Sequence, residues 1–208
     1  MPDIFEHYVV STRSSIGPRY RQLLFDILMA NPFKNVLEIG CLRGYSSCAF
    51  IEAINRGRDF DYTICDPAPR GTFADVLNKC TAMDRVHLVQ KLSVDCIQPG
   101  YDFIFVDGDH SPQYVPKEIA RLLEVNFESV LAHDTYIEIP RYFGAHQYRH
   151  IFEKHPDYFY IDDGSWDPSS EQQRCGVSFF TRRSDVFERV KELFGRLNTR
   201  VNSPNPPS

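Results

Sequence analysis

The sequence predicts an α/β protein with a doubly wound, mostly parallel sheet of seven strands that ends in an antiparallel hairpin. Apolar runs of strand type alternate along the chain with runs of helix type, which is typical of parallel strands covered by helices on both faces. Near the C-terminus, two strand-type runs are separated only by a polar connection from about Ser165 to Arg174. That connection is too short for a covering helix, so these two strands should pair antiparallel.

The individual elements follow from the same patterns in chain order. The run "NVLEIG" combines apolar residues with a terminal glycine and predicts the first strand, while "YDFIFVDGD" is the most hydrophobic run and carries acids only where it ends. Helical periodicity and strand composition then place the remaining elements. The predicted helices cover 19–30, 46–55, 72–80, 115–124, 148–155 and 185–197, and the predicted strands cover 35–40, 61–66, 85–90, 101–109, 129–134, 157–164 and 176–183.

Length and charge bound the domain organisation and the partners. The chain has 208 residues, of which 42% are hydrophobic, and this suits one well-buried core. We therefore expect a single domain over residues 1–200 and a disordered tail over 201–208. A formal charge of −5 argues against a broad phosphate-binding surface, and so against nucleic acid as a partner. A homo-oligomer is left open.

Cysteine usage and the N-terminus suggest a cytoplasmic protein that does not bind membranes. The six cysteines form no C-x-x-C pair that could hold zinc, and most lie in apolar segments, so we expect them to be reduced core residues. The start "MPDIFEHYVV" lacks the features of a signal peptide, and no apolar run approaches the roughly 20 residues of a membrane span.

The stretch "VLEIGCLRGYSS" predicts a cofactor-binding turn between the first strand and the following helix. Gly40 and Gly44 let the backbone come close to a ligand, because glycine has no side chain that would keep the ligand away. A dinucleotide site would need G-x-G-x-x-G, and that spacing is absent here. Asp66 ends the second strand, where a carboxylate can accept both ribose hydroxyls of a nucleoside, although a turn or capping role is the alternative.

Acids and histidines follow the fourth and fifth strands, and they predict the reactive part of the site. Ligands of doubly wound sheets bind beyond the carboxyl ends of the strands, so these side chains should converge there. Like charges in one cleft repel one another, which makes a divalent cation plausible. The residues concerned are Asp107, Asp109, His110, His133 and Asp134.

From about Asn35 to Arg182 the chain resembles the class I S-adenosylmethionine-dependent methyltransferases, whose Rossmann-like fold has this strand order. "DFIFVDGDH" followed by "LAHDT" resembles the small-molecule O-methyltransferases related to macrolide-sugar and aminocoumarin methyltransferases, and the cephalosporin hydroxylase group. The resemblance implies methyl transfer to a hydroxyl of a sugar-like or phenolic small molecule. This pair of motifs is more specific than the glycines alone.

The resemblance also implies a role for each site residue. Glu38, Gly40 and Gly44 would wrap the methionine end of the cofactor, Ser93 would contact adenine, and Asp107 would lie near the sulfur. In metal-dependent relatives the first acid of D-G-D and two acids after the fifth strand bind Mg²⁺. Transferred to this chain, that pattern makes Asp107, His133 and Asp134 the ligands, with Asp109 or His110 taking the acceptor proton.

The histidine in this ligand set departs from the pattern and leaves alternatives open. Imidazole is softer than the oxygen donors that Mg²⁺ prefers, so Mg²⁺, another divalent cation or no metal at all remain possible. An NAD-type oxidoreductase and a non-catalytic S-adenosylmethionine-binding protein are the alternative functions. Further aromatic residues in the C-terminal third could form a wall for the acceptor: Tyr136, Tyr142, Phe143, Tyr158, Tyr160 and Trp166.

Overall fold

Seven strands form one sheet in the structure, a computed structural model that describes residues 16–136, 144–164 and 175–201. The tail from residue 202 and the predicted acceptor-wall residues Tyr142, Phe143 and Trp166 lie outside these ranges. The strands are β1 (Asn35–Ile39), β2 (Asp61–Cys65), β3 (Val86–Val89), β4 (Phe103–Val106), β5 (Ser129–His133), β6 (Phe159–Asp163) and β7 (Val177–Thr181).

The strand order is β3-β2-β1-β4-β5-β7-β6, which confirms the predicted doubly wound sheet. The first five strands are parallel, while β7 runs antiparallel to both β5 and β6. The order reverses between β1 and β4, and such a reversal opens a crevice at the carboxyl ends of these two strands.

Seven helices connect and cover the strands in the described part of the chain. Their bounds are α1 (Pro18–Ala30), α2 (Ser47–Asn55), α3 (Phe73–Leu77), α4 (Ser93–Cys96), α5 (Val115–Val125), α6 (His146–Phe152) and α7 (Ser184–Val201). Within the described ranges, no helix is both long and apolar enough to cross a membrane.

Alternating residues along the strands pack into two hydrophobic cores, one on each face of the sheet. Val36 of β1 packs with residues of α1, α2 and α7, whereas Leu37 and Ile39 pack with α5 and α6. This is the arrangement expected of a strand that is covered on both faces. The edge strand β3 is different, because His87 and Leu88 are exposed there.

The structure departs from the predicted elements in several details. The third helix ends at Leu77 instead of residue 80, and α4 and a 3-10 turn at Met83–Arg85 were not predicted. The fourth strand ends at Val106, so its acids lie in the following loop. The two end differences are three residues each (80 to 77 and 109 to 106), and element ends are where local patterns are least informative.

The expectation that all cysteines are reduced is wrong for one pair. Cys65, at the end of β2, is joined to Cys96 of α4 by a disulfide with Cα atoms 6.4 Å apart. Cys41, Cys48 and Cys80 are free thiols, and burial raises the pKa of each. The pairing joins residues that are 31 positions apart, which spacing alone does not indicate.

Candidate active site

The sheet register brings the carboxyl ends of four strands to one edge. Ile39 is level with Cys65 on one side and with Val106 on the other. In a parallel sheet, neighbouring strands whose last residues are paired end at the same edge. The residues that follow these strands therefore lie side by side. Asp66, Gly40 and Asp107 come directly after β2, β1 and β4, and His133 is the last residue of β5, one position after the Ala132 that is level with Val106.

The glycine loop after β1 requires backbone conformations that favour glycine. Gly40 has a φ of +83° and Gly44 a φ of +85°. A Cβ on Gly40 would overlap the backbone carbonyl of Asp107 and the Cα of Gly108. A side chain at Gly40 would therefore meet the neighbouring loop, so the sequence-based reason for this glycine, that a side chain would keep a ligand away, is corrected.

Glu38 supports this loop from below. Its side chain is fully buried, and its carboxylate accepts hydrogen bonds from the hydroxyls of Ser46, Ser47 and Tyr62. Burial raises the pKa of Glu38 to about 7, although the three hydroxyls oppose that rise. These hydroxyls occupy both carboxylate oxygens, so Glu38 stabilises the loop beside the predicted cofactor site.

Asp66 fixes the same loop from the side of β2. One carboxylate oxygen accepts from the Leu42 amide at 2.8 Å, and the other accepts from the Ala68 amide at 2.8 Å. Each carboxylate oxygen can accept more than one hydrogen bond, so ribose hydroxyls could still be bound. The predicted cofactor contact at Asp66 stays a prediction. The role that the structure shows for Asp66 is to bind the Leu42 and Ala68 amides.

Ser93 begins α4 and is buried beside the predicted nucleoside site. Its hydroxyl lies within hydrogen-bonding distance of Glu118 and, at 3.1 Å, of the Tyr114 hydroxyl. Ser93 is the donor in both contacts, and because a serine hydroxyl has one proton it can serve only one of the two acceptors at a time. An adenine contact by Ser93 would therefore have to use its backbone or its remaining acceptor capacity.

Two carboxylates and two imidazoles converge after β4 and β5. Asp107 Oδ1 lies 3.3 Å from His110 Nε2 and 3.1 Å from His133 Nδ1. Asp134 completes the group, with Oδ2 3.3 Å from His110 Nε2 and Oδ1 3.2 Å from His133 Nδ1. We call these four residues the Asp–His cluster, and their convergence matches the arrangement predicted from the strand ends.

Mutual charge compensation explains how these groups share one place. Burial alone lowers the pKa of His110, but hydrogen bonds to Asp107 and Asp134 outweigh burial and raise the pKa to about 10. Burial likewise opposes the charge of His133, yet the two carboxylates raise its pKa to about 9. Burial raises and the two imidazoles lower the pKa of Asp134, which ends well below its usual range.

Three members of the cluster could hold a metal ion. Ligand atoms of Asp107, His110 and Asp134 lie within 4.8 Å of one another. This group differs in one member from the predicted ligand set, which contained His133 in place of His110. His133 is 4% exposed and places Nδ1 against both carboxylates, a position suited to orienting them.

The predicted base Asp109 lies outside the Asp–His cluster. Its side chain is exposed, and Oδ1 accepts a hydrogen bond of 2.9 Å from the Ser111 amide. Asp109 therefore stands at the rim of the site, while His110 is buried within it. The sequence motif D-G-D-H contains both residues, but which one turns inward depends on the loop conformation.

The predicted acceptor wall divides into core and site-proximal residues. Tyr158 packs into the core, where its ring stacks on Phe127 with centroids 4.8 Å apart. Tyr136 follows the cluster in the chain and donates to Asp162, which also accepts from Tyr160 at 2.8 Å.

The rings of the two α6 histidines, His146 and His150, lie 6.3 Å apart.

Comparison with known proteins relates part of this chain to one family. Residues 37–139 match a family of methyltransferase domains. No curated protein sequence matches this chain.

Solved structures share the fold at low sequence identity. An S-adenosylhomocysteine-bound methyltransferase of Podospora anserina, PaMTH1, has 15% identity and a TM-score of 0.67 over 88% of this chain and 89% of that one. The O-methyltransferase TomG of Streptomyces achromogenes, in complex with S-adenosylmethionine, has 15% identity and a TM-score of 0.64 over 81% of each chain. A Bacillus cereus O-methyltransferase in complex with S-adenosylhomocysteine has 18% identity and a TM-score of 0.60 over 81% of this chain and 83% of that one.

Proposed function

Because residues 37–139 match a family of methyltransferase domains, we propose that the protein is a class I S-adenosylmethionine-dependent methyltransferase that methylates a hydroxyl of a small molecule. The acceptor class is a sugar-like or phenolic metabolite. The observation that carries the proposal is the Asp–His cluster, which stands directly beside the glycine loop. Gly40 and Asp107 leave adjacent strands and are in close backbone contact, so cofactor and acceptor would meet there.

S-adenosylmethionine would bind over β1 and β2. The loop of Gly40 and Gly44 would receive the methionine end, and Asp66 would bind the ribose, with adenine near Ser93. The Podospora, Streptomyces and Bacillus structures hold S-adenosylmethionine or S-adenosylhomocysteine on the same fold. The sequence departs from dinucleotide-binding proteins at the same loop, which argues against NAD.

The chemistry requires alignment and removal of one proton. A sulfonium methyl group is already electrophilic, so the protein must hold the acceptor oxygen in line with the sulfur and accept the hydroxyl proton. We assign the base role to Asp109, which stands at the rim next to the cluster. His110 is less suited to this role, because it is buried, lies against both Asp107 and Asp134, and is itself a candidate ion ligand.

A divalent cation would fit the group of Asp107, His110 and Asp134. Two carboxylate oxygens and one imidazole nitrogen are a common donor set for divalent transition ions and an uncommon one for Mg²⁺. When bound, such an ion supplies Lewis acidity that lowers the pKa of an acceptor hydroxyl. His133 would keep both carboxylates oriented.

The proposed partner is the small-molecule acceptor, without nucleic acid or membrane. The formal charge of −5 supports this view, because polyanionic surfaces would be repelled.

Incubation with S-adenosylmethionine and a library of hydroxylated phenols and sugars tests the proposal. We expect one acceptor class to gain the mass of a methylene group as S-adenosylhomocysteine forms. The same assay after treatment with EDTA distinguishes a site that needs a divalent cation from one that does not. Activity that survives thorough chelation would contradict a role for the cation. Binding of S-adenosylhomocysteine with no turnover of any acceptor would favour a non-catalytic binding protein.

A further inference from the structure

Glu118 of α5 is a buried acid that the proposed chemistry does not use. It is 1% exposed, whereas its helix neighbours Lys117 and Glu124 are exposed. A buried carboxylate is unfavourable unless hydrogen bonds replace its lost hydration. The partners that provide those bonds therefore indicate what the residue is for.

Both carboxylate oxygens bind hydroxyls from distant parts of the chain. Oε1 accepts from Ser93 at the start of α4, and Oε2 accepts from Tyr148 of α6 at 2.9 Å. Ser93 lies 25 positions before Glu118 and Tyr148 lies 30 positions after it. One side chain thus joins the predicted adenine side of the site to the helix that follows the acceptor side.

The same carboxylate lies beneath the loop that carries the Asp–His cluster. A Cβ on Gly108 would be 3.8 Å from Glu118 Oε1. The chain just before α6 is held on this loop as well, because the Gly144 amide donates to the His110 carbonyl at 2.9 Å. A Cβ on Gly144 would overlap the carbonyls of His110 and Ser111, so the two segments are in close contact.

We infer that Glu118 is a positioning residue that couples occupancy of the adenine side, through Ser93, to the placement of α6, through Tyr148. The inference rests on the proposed function, because it takes S-adenosylmethionine as the ligand on the Ser93 side. Binding there fixes α4, α4 fixes the carboxylate, and the carboxylate holds α6 against the cluster loop. The placement of α6 on the cluster loop is then firmer when the cofactor is bound.

Calorimetry and hydrogen–deuterium exchange with S-adenosylhomocysteine test this coupling. In the wild type, saturating S-adenosylhomocysteine should slow amide exchange in α6, residues 146–152. Glu118→Gln keeps the size of the side chain but loses its charge, so we expect an affinity about tenfold weaker and no protection of α6 at saturation. Tyr148→Phe removes one arm only, and it should lose the protection of α6 while binding S-adenosylhomocysteine as the wild type does.

Glu52→Gln is the matched control, because Glu52 is a buried acid on α2 whose partner is Arg56 at 2.6 Å. It should behave as the wild type in both measurements. Thermal melts establish whether each variant is folded. If Glu118→Gln does not fold, the single variants Tyr148→Phe and Ser93→Ala test the coupling instead. Unchanged α6 protection in Tyr148→Phe, or none in the wild type that binds S-adenosylhomocysteine, overturns the coupling alone. A wild type that does not bind S-adenosylhomocysteine overturns the proposed function as well.

Discussion

In the glycine loop and at Asp66, acids bind amides and hydroxyls of the chain itself, whereas after β4 and β5 acids bind imidazoles. Glu38 and Asp66 are satisfied by three hydroxyls and two amides. In the Asp–His cluster, Asp107 and Asp134 each meet two histidines. We call the first region, which consists of the glycine loop with Glu38 and Asp66, the cradle, and its acids are held by hydrogen bonds within the chain. The second region concentrates groups whose charge can respond to a ligand. We therefore expect mutations in the two regions to affect binding and turnover differently.

The largest expected effect comes from the point where the two regions touch. Gly40→Val places a side chain against the Asp107 backbone at a φ of +83°, so it should displace the cluster loop and abolish S-adenosylhomocysteine binding. Calorimetry measures the binding, and circular dichroism measures what remains folded. Gly195→Val is the control, because a Cβ there meets no atom within 4 Å. Normal binding by Gly40→Val would show that the two regions are not in contact as described.

The second effect should fall on turnover. Asp107→Asn removes the carboxylate that faces both His110 and His133, and we expect turnover to fall by about 10²–10³-fold, the range for losing one preorganised electrostatic group. The affinity for S-adenosylhomocysteine should change much less, since the proposed role of the cluster is toward the acceptor. Asp75→Asn, an exposed acid on α3, is the control. An equal loss of affinity and turnover would remove the distinction between the two regions.

The third effect is a pH dependence of stability in the cradle. Burial raises the pKa of Glu38 from 4.5 to about 7, so between these values the folded state binds a proton that the unfolded state has released. Glu38 therefore makes stability fall as pH rises through this window, by at most on the order of 3 kcal/mol. Urea unfolding at about pH 5 and about pH 7 should show a smaller fall for Glu38→Gln than for the wild type. Parallel profiles for the two proteins would contradict this placement of Glu38.

The smallest effect is expected at Asp66. Asp66→Asn keeps one acceptor oxygen but loses the charge and one of the two amide partners, so the affinity for S-adenosylhomocysteine should weaken by about tenfold. Turnover at saturating cofactor should be close to that of the wild type, in contrast to Asp107→Asn. A drop in saturated turnover with unchanged affinity would assign Asp66 to the acceptor region.

The two regions also differ in how far the sequence predicts them. Glycine spacing and an acid at a strand end are local patterns, so Gly40 and Asp66 could be placed from the sequence, as could the convergence after β4 and β5. The choice between His110 and His133 as the candidate ion ligand depends on loop conformation. Partners that are distant along the chain are harder still to predict, and the sequence pattern indicates neither the Cys65–Cys96 pair nor the contact between Glu118 and Tyr148.

Ligand preference at the glycine loop and Asp66 tests the proposed function most directly. Titration calorimetry of the wild-type protein with S-adenosylmethionine, S-adenosylhomocysteine and NAD measures this before any acceptor is known. We expect the first two ligands to bind with dissociation constants on the order of micromolar, and NAD to give no binding heat. Binding of NAD in preference to S-adenosylhomocysteine would contradict the account.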